Sequence, residues 1–125
     1  MILGLGTDLV AISRVEAILS KHGERFLQRV FTRTEQAECL DRARPATHLA
    51  ARVAAKEAAM KALETGWSLG VRWQDIEVHS DGMGPPKLHL MGMAGERAKA
   101  RGIRHALVSL SHDAEYAIAV VVATD

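Results

Sequence analysis

The fold is decided by the stretch RVAAKEAAMK, residues 52–61, at the centre of a longer segment that runs from His48 to Gly66. Alanine, leucine, methionine, lysine and glutamate all favour helix, and neither glycine nor proline interrupts the segment before Gly66. We predict one long helix that is capped at its start by Thr47 and ends at Gly66. Because apolar residues occupy two of its faces, this helix should be buried.

Charged residues on a buried helix need a partner, a metal ion or a charged ligand. This helix carries four: Arg52, Lys56, Glu57 and Lys61. In one interpretation the basic side chains extend to water, and Glu57 and Lys61, one turn apart, form a surface ion pair. In the other, the carboxylate and the cations converge on a site for a metal ion and phosphate groups, where Lys56 steers phosphates or orients Glu57. The second interpretation requires another carboxylate from elsewhere in the chain.

Asp8 is the candidate for that second carboxylate. It lies near the end of a predicted strand, Ile2–Val10, in which Gly4 and Gly6 permit a close approach of other backbone. A single acid in an apolar strand is either a turn acceptor or a site residue. Two carboxylates are few for a metal cage made of protein alone, but they suit Mg²⁺, which keeps waters and is completed by substrate phosphates.

Composition limits the possible classes of protein. The chain has 125 residues, 48% of them hydrophobic and 25% charged, and a net charge of +1. These values predict a single soluble domain spanning residues 1–125. We expect a cytoplasmic protein, because Cys39 has no second cysteine to pair with and we recognise neither a leader nor a stretch able to cross a membrane. Six scattered histidines lack cysteine partners at the spacing of a zinc site.

The remaining pattern predicts an α+β fold with an antiparallel sheet packed against the long buried helix. The predicted helices are 13–23, begun by a capping box at Ser13, then 24–30, then 34–42, preceded by a second capping box at Thr32, and finally 94–101. The predicted strands are 73–79 and 87–90, followed by a hairpin of 106–112 and 116–123.

Cationic residues are concentrated in the first third of the chain, which we call the basic surface 14–33: Arg14, Lys21, Arg25, Arg29 and Arg33, with Phe26, Leu27 and Phe31 between them. The surface is either an ordinary solvated face or a docking site for an acidic protein helix. Binding of nucleic acid is not expected, since aromatic residues make up only 4% of a nearly neutral chain.

Four motifs together resemble the small bacterial holo-acyl-carrier-protein synthases, a family of 4'-phosphopantetheinyl transferases. They are Gly-x-Gly-x-Asp at 4–8, Lys-Glu-Ala-x-x-Lys at 56–61, Gly-x-Pro at 84–86 and Ser-x-Ser-His-x-x-x-Tyr-Ala at 109–117. They cover nearly the whole chain in the family's order and spacing. The chain departs from the family at Val53, where an aromatic residue is usual, and at Pro85, where a lysine is common. The phosphate contact of that lysine is then absent or supplied by Lys87.

The resemblance implies a phosphopantetheinyl transferase fold and a Mg²⁺-dependent enzyme of fatty acid biosynthesis. Such an enzyme transfers 4'-phosphopantetheine from coenzyme A to a serine of apo-acyl carrier protein and releases adenosine 3',5'-bisphosphate. It also implies a homotrimer with active sites between subunits. Two other functions stay open: a non-catalytic adaptor that binds acidic partners through the basic surface 14–33, and a Mg²⁺-dependent nucleotide hydrolase.

The resemblance also implies a role for each matching residue. Asp8 and Glu57 match the metal-binding carboxylates, and Lys61 matches a catalytic lysine beside the pyrophosphate. The positions that match those holding the nucleotide part of coenzyme A are Arg52, Gly84, Pro86, Ser111 and His112. The positions that match those contacting the carrier protein are Arg14, Arg25, Phe26 and Arg29.

Overall fold

The structure is a computed structural model that describes residues 1–66, 68–80 and 82–125. The helices in these residues are α1 (Ile12–Val30), α2 (Arg33–Leu40), α3 (Pro45–Leu63) and α4 (Gly92–Ala100). The strands are β1 (Ile2–Ala11), β2 (Ile76–His79), β3 (Lys87–Leu90), β4 (His105–His112) and β5 (Tyr116–Thr124). None of the helices in the described residues has the length and apolar character needed to cross a membrane.

Two antiparallel sheets and the long helix α3 make up the architecture. The larger sheet has the strand order β1-β5-β4, and β2 pairs with β3 in the smaller one. Helix α3 packs against the larger sheet and buries 14 of its 19 residues. The predicted α+β fold, with an antiparallel sheet on a long buried helix, is therefore confirmed.

Glycine spacing brings β1 against the backbone of α3. A Cβ at Gly6 would lie 1.9 Å from the carbonyl oxygen of Ala58, and one at Gly4 would lie 2.1 Å from that of Ala62. No other residue type fits at either position without moving the strand off the helix. Asp8 is the next residue on the same face of the strand, because side chains alternate with a period of two. Its carboxylate is thereby directed toward α3.

The predicted start and end of α3 were both wrong. The helix begins at Pro45, and Thr47 is buried inside its first turn and does not cap it. Proline is favourable at this position because its fixed φ suits a helix and its missing N–H would have no helical partner. The helix ends at Leu63, and Glu64, not Gly66, adopts the left-handed conformation that closes it, at φ 60°.

The two predicted capping boxes had different outcomes. At Thr32 the box is present: the Glu35 N–H donates to Thr32 Oγ1 and the Thr32 N–H donates to Glu35 Oε1. At Ser13 the prediction was wrong, since α1 begins at Ile12 and has no side-chain cap. The Ile12 N–H instead donates to the carbonyl oxygen of Glu115 at 2.8 Å, so the β4–β5 hairpin does part of the work expected of the cap.

Two other boundaries differ from the prediction. The predicted helices 13–23 and 24–30 form one helix, α1, with a kink at His22, where φ is −133°. Residues Trp73–Asp75, predicted to start a strand, form a 3-10 turn before β2. Both differences arise because a short sequence pattern does not define where one element ends and the next begins.

Candidate active site

Asp8 and Glu57 lie side by side within one chain, although 49 positions separate them in the sequence. Burial is the main cause that raises the pKa of Glu57 to about 7, and the adjacent carboxyl of Asp8 is the second. Arg14 and Lys61 act in the opposite direction. A pair of carboxyls that raises the pKa of one member holds more negative charge than it can stabilise without a cation.

Lys61 contacts this acid pair from the same helix as Glu57. Its Nζ donates to the carbonyl oxygen of Thr7 at 2.8 Å and to Asp8 Oδ1 at 3.3 Å. The ion pair predicted between Glu57 and Lys61 is therefore replaced by one between Asp8 and Lys61. The Lys61 side chain is 58% exposed, so it is accessible to a ligand at the acid pair.

The acid pair fits a small divalent cation. Asp8 Oδ2 is buried and has no hydrogen-bond partner among the described residues, so one carboxylate oxygen is left for a ligand. Within residues 1–66, 68–80 and 82–125, no group of three or more His, Cys, Asp or Glu side chains could hold a metal ion. Two carboxylates with waters and phosphate oxygens are a donor set typical of Mg²⁺. Asp8 and Glu57 are the residues that would hold it.

A largely apolar cavity of about 280 Å³ opens beside the acid pair. Asp8, Glu57 and Arg14 lie on its wall together with apolar side chains that include Phe26 and Val53. A second, more open hollow of about 580 Å³ lies along α1, where Ile18, Arg25, Phe26 and Arg29 line it. Ile18 and Phe26 line both. The part of the basic surface 14–33 that carries Arg25, Phe26 and Arg29 therefore adjoins the cavity beside the acid pair.

Lys56 lies in the core and not in the site. It is fully buried, and its Nζ donates to Glu35 Oε1 at 2.8 Å, to the carbonyl oxygen of Trp73 at 3.0 Å and to that of Ile76. Burial lowers the pKa of Lys56, and the Glu35 carboxylate opposes that effect. The sequence interpretations of Lys56 were wrong, since its ammonium does not reach water and binds Glu35 and two carbonyl oxygens, and not phosphates or Glu57.

The Arg52 side chain is also held by contacts within the protein. The residue is 3% exposed, and its Nη2 donates to Glu38 Oε1 at 2.8 Å. The expected convergence of Arg52 and Lys56 with Glu57 and Lys61 does not occur in this chain. Sequence reasoning missed Glu35 and Glu38, the two acids that bind the buried cations. Their spacing of three on one short helix, together with a lysine in an apolar stripe, was the available signal.

The other predicted nucleotide-binding residues border two hollows. His112, at the end of β4, lines one of about 510 Å³ together with Arg42, Arg44 and His48. The rings of His48 and His112 meet edge to face, 6.0 Å apart. Ser111 precedes His112 and is exposed. Gly84 lines the second hollow, of about 330 Å³, with His79, Met83, Pro85 and Lys87, so Lys87 borders the same hollow as Pro85. Pro86 completes the loop that leads into β3.

The acid pair and the His48–His112 group lie on different sides of α3. Glu57 and His48 are nine positions apart, and at about 100° per residue that spacing places them on opposite faces of the helix. Glu57 faces β1, through Asp8, whereas His48 faces the end of β4, through His112. One chain therefore carries the acid pair and the His48–His112 group at two separate places.

The raised pKa of Glu57 predicts how the stability of the metal-free protein depends on pH. In the folded state this carboxyl keeps its proton up to about pH 7, whereas in the unfolded chain it ionises near its ordinary value of 4.5. Stability is therefore lost as pH rises between these values. In a chelator, we expect the melting temperature of the wild type to fall relative to that of Glu57→Gln from pH 5 to pH 8. Added Mg²⁺ should narrow the gap, and a difference that is constant with pH would contradict the assignment.

Comparison with known proteins shows what the chain resembles. The model of the 4'-phosphopantetheinyl transferase superfamily matches residues 4–121. A holo-[acyl-carrier-protein] synthase of Halorhodospira halophila is 50% identical over 122 residues, which cover 98% of this chain and 97% of the relative. The crystal structure of the Neisseria meningitidis holo-[acyl-carrier-protein] synthase superposes with a TM-score of 0.90 at 33% identity and 100% coverage of both chains. That of the Helicobacter pylori enzyme in complex with coenzyme A has a TM-score of 0.83 at 32% identity, covering 96% of this chain and 99% of the other.

Proposed function

The chain belongs to the 4'-phosphopantetheinyl transferase superfamily, as a holo-[acyl-carrier-protein] synthase, and we propose that its reaction takes place at Asp8, Glu57 and Lys61. The enzyme transfers 4'-phosphopantetheine from coenzyme A to a serine of apo-acyl carrier protein, as fatty acid biosynthesis requires. The meeting of Asp8 with Glu57, and Lys61 beside them, is the observation that supports this location.

In the transfer, the serine hydroxyl oxygen forms a bond to the β-phosphorus of coenzyme A. The bond between that phosphorus and the bridging oxygen breaks, and adenosine 3',5'-bisphosphate leaves. Asp8 and Glu57 would hold Mg²⁺, which when bound would offset the charge of the pyrophosphate and orient it for in-line displacement. Lys61 moves its ammonium from Asp8 to the departing phosphate and neutralises or protonates it. The serine proton goes to Glu57 or to a water beside it.

Mass spectrometry of the carrier protein tests this function directly. Apo-carrier incubated with the enzyme, coenzyme A and Mg²⁺ should gain the mass of one phosphopantetheine. A binding adaptor would leave the carrier mass unchanged, and a nucleotide hydrolase would consume coenzyme A without a carrier. Family membership already favours the transferase over both, and a carrier that keeps its mass would overturn it.

We propose that the carrier docks on Arg14, Arg25, Phe26 and Arg29. These residues lie on or beside α1, and Phe26 lines both the open hollow along that helix and the cavity beside the acid pair. A carrier held here would present its serine close to the reaction site. Exposed arginines around an apolar centre suit an acidic helix, since the charges guide association and the apolar centre contributes affinity.

Charge reversal at this docking surface should act on the carrier alone. We expect Arg25→Glu to raise KM for the carrier by about tenfold or more, because it replaces attraction by repulsion toward an acidic helix. KM for coenzyme A should stay unchanged, and the effect should shrink at high salt. Steady-state kinetics with each substrate varied in turn measures both constants. Equal effects on the two would place the docking surface elsewhere.

For the nucleotide part of coenzyme A, we propose the region of Arg52, Gly84, Pro86, Ser111 and His112. The basic and histidine side chains around Gly84 and His112 suit phosphate and base recognition. Lys87 is the candidate for the phosphate contact that Pro85 cannot make. We further propose a single catalytic domain over residues 1–125 that works in the cytoplasm without a membrane or nucleic-acid partner. The buried free thiol of Cys39 agrees with a reducing compartment.

We also propose that the enzyme is a homotrimer with active sites between subunits. The face of the larger sheet that points away from α3 exposes a row of apolar side chains: Leu5, Leu9, Leu107, Ile118 and Val120. A contiguous exposed apolar face of this kind marks an interface. The acid pair and the His48–His112 group lie on opposite faces of α3, so a neighbouring subunit is well suited to complete the site.

A charge on that sheet face should abolish assembly and activity together. We expect Leu107→Glu, a residue 61% exposed in the single chain, to yield monomers and to lower activity by about tenfold or more, because the carboxylate would be buried between subunits. Light scattering coupled to gel filtration gives the assembly state, and far-UV circular dichroism checks the fold. A fully active monomer would contradict the shared site.

A further inference from the structure

Glu38 on α2 links three separate parts of the chain. Its Oε1 accepts hydrogen bonds from Arg52 Nη2 at 2.8 Å and from the Ser80 N–H at 3.0 Å. Its Oε2 lies 2.5 Å from His79 Nδ1. The Glu38 side chain is 13% exposed and that of Arg52 is 4% exposed, so most of this contact is shielded from water. Buried charge-assisted hydrogen bonds of this kind hold their partners in one geometry.

Two of these partners form the entrance to the loop that carries Gly84 and Pro86. His79 is the last residue of β2, and it pairs in register with Lys87, the first residue of β3. The loop between them is therefore closed at its base by the strand pair and held from the side by Glu38. His79 and Lys87 also line the hollow of about 330 Å³ that Gly84 borders. Glu38 thus fixes the position of His79, which lines that hollow, although Glu38 does not line the hollow itself.

The charges agree with a site for an anion. A free carboxylate near phosphate groups would repel them, but the Arg52 guanidinium neutralises Glu38 at contact distance. The Nδ1 of His79 is engaged by Glu38, which leaves Nε2 as the ring nitrogen for a ligand. Arg42 adds a cation near this loop, since its Nη2 is 3.7 Å from the position that a Cβ on Gly82 would occupy.

We propose that Glu38 is a positioning residue for coenzyme A. It acts through His79, Ser80 and Arg52, which it keeps in the arrangement that shapes the hollow for the nucleotide part of the substrate. The inference rests on the proposed function, because the loop at 82–86 is assigned to the nucleotide there. It also explains how a buried Arg52 serves nucleotide binding: Arg52 neutralises and orients Glu38 and does not itself touch the substrate.

Direct binding of coenzyme A separates a positioning role from a merely structural one. Titration calorimetry with the full-length enzyme and Mg²⁺, without carrier, compares the wild type with Glu38→Ala and Glu38→Gln. We expect Glu38→Ala to weaken coenzyme A binding by about tenfold or more. This is the size of effect expected when a charge-assisted hydrogen bond is lost. Glu38→Gln keeps an acceptor oxygen and should lie between the two. KM for the carrier should be unchanged in both.

Glu64→Gln is the matched control for Glu38→Gln, since it also removes the charge of a glutamate that pairs with an arginine, Arg101, but at an exposed position just after α3. It should bind coenzyme A as the wild type does. An equal loss in Glu64→Gln would overturn the inference, and so would wild-type affinity in a folded Glu38→Ala. If the wild type itself did not bind coenzyme A, the proposed function would fail and not this inference alone.

A double-mutant cycle that combines Glu38→Ala with His79→Ala tests whether Glu38 acts through His79. If Glu38→Ala does not fold, Glu38→Gln replaces it in the cycle. His79 has a 39% exposed side chain, so its removal should leave the fold intact. If Glu38 acts through His79, the double variant should lose less affinity than the sum of the single losses. Additive losses would overturn the proposal. Thermal unfolding without ligand reports the structural contribution of each change separately.

Discussion

Replacing Glu57 by glutamine, or Asp8 by asparagine, is expected to lower Mg²⁺-dependent transfer to the carrier by at least about 100-fold. Each change removes one of the two carboxylates that would hold the ion, and a bound metal contributes several kcal/mol of charge stabilisation to a transition state of this kind. Steady-state assays with saturating coenzyme A measure the rate. Titration with Mn²⁺ followed by electron paramagnetic resonance should show the matching loss of metal binding.

The same experiment needs evidence that the fold survives. Glu57→Gln should melt no lower than the wild type in a chelator, because it removes a carboxyl that is costly to ionise beside Asp8. Glu64→Gln is the matched control: Glu64 follows α3 directly, is 69% exposed and takes no part in the reaction, so activity should be retained. Full activity in either acid variant would refute the assignment of the acid pair as the reaction centre.

Replacing Lys56 by alanine is expected to destabilise the protein by about 3–5 kcal/mol, because it leaves the fully buried Glu35 carboxylate without its cation. Urea unfolding gives the change in free energy. Lys56→Met with Glu35→Gln should recover part of the loss, since both charges are then gone and the single carbonyl oxygen of the glutamine can still accept from one of the two N–H groups, of Thr32 and Val78, that Glu35 binds.

An exposed ion pair provides the control for this prediction. Arg44→Met breaks the pair with Glu16, in which both side chains are more than half exposed, and should cost less than about 1 kcal/mol. A loss in Lys56→Ala as small as this one would mean that the Glu35 carboxylate is not shielded from water in the folded protein. The two variants therefore separate burial from charge as the source of the effect.

Local sequence patterns predicted the parts of the fold that depend on neighbouring residues. Neighbouring residues were enough to predict three features: the helix from the composition of α3, the close backbone approach from the glycines of β1, and the hairpin turn at 113–115. The pairing of Asp8 with Glu57 was also inferred, because two unexplained acids on apolar elements both required a cation. The Thr32 capping box formed because both of its partners belong to the same turn.

The partners of the other charged residues of α3 could not be predicted in this way. Lys56 and Glu35 are 21 positions apart, and only the packing of α2 on α3 brings them into contact. The same packing withdraws Arg52 from the surface and pairs it with Glu38. At Ser13 the pattern suited a cap, but a carbonyl from the β4–β5 hairpin was already available to the Ile12 N–H. In each case a tertiary contact overrides a local preference.

The contact between β1 and α3 has a consequence for the cation that the acid pair would hold. Main chain touches main chain at Gly4 and Gly6, so the backbone of Asp8 cannot drift away from the turn of α3 that carries Glu57. The two carboxylates are consequently carried by rigid segments and not by adaptable loops. A pair held in this way would favour an ion of one radius, and Mg²⁺, with oxygen distances of about 2.0–2.1 Å, is smaller than Ca²⁺ at about 2.3–2.6 Å. The absence of side chains at Gly4 and Gly6 would thereby affect which cation binds at Asp8 and Glu57.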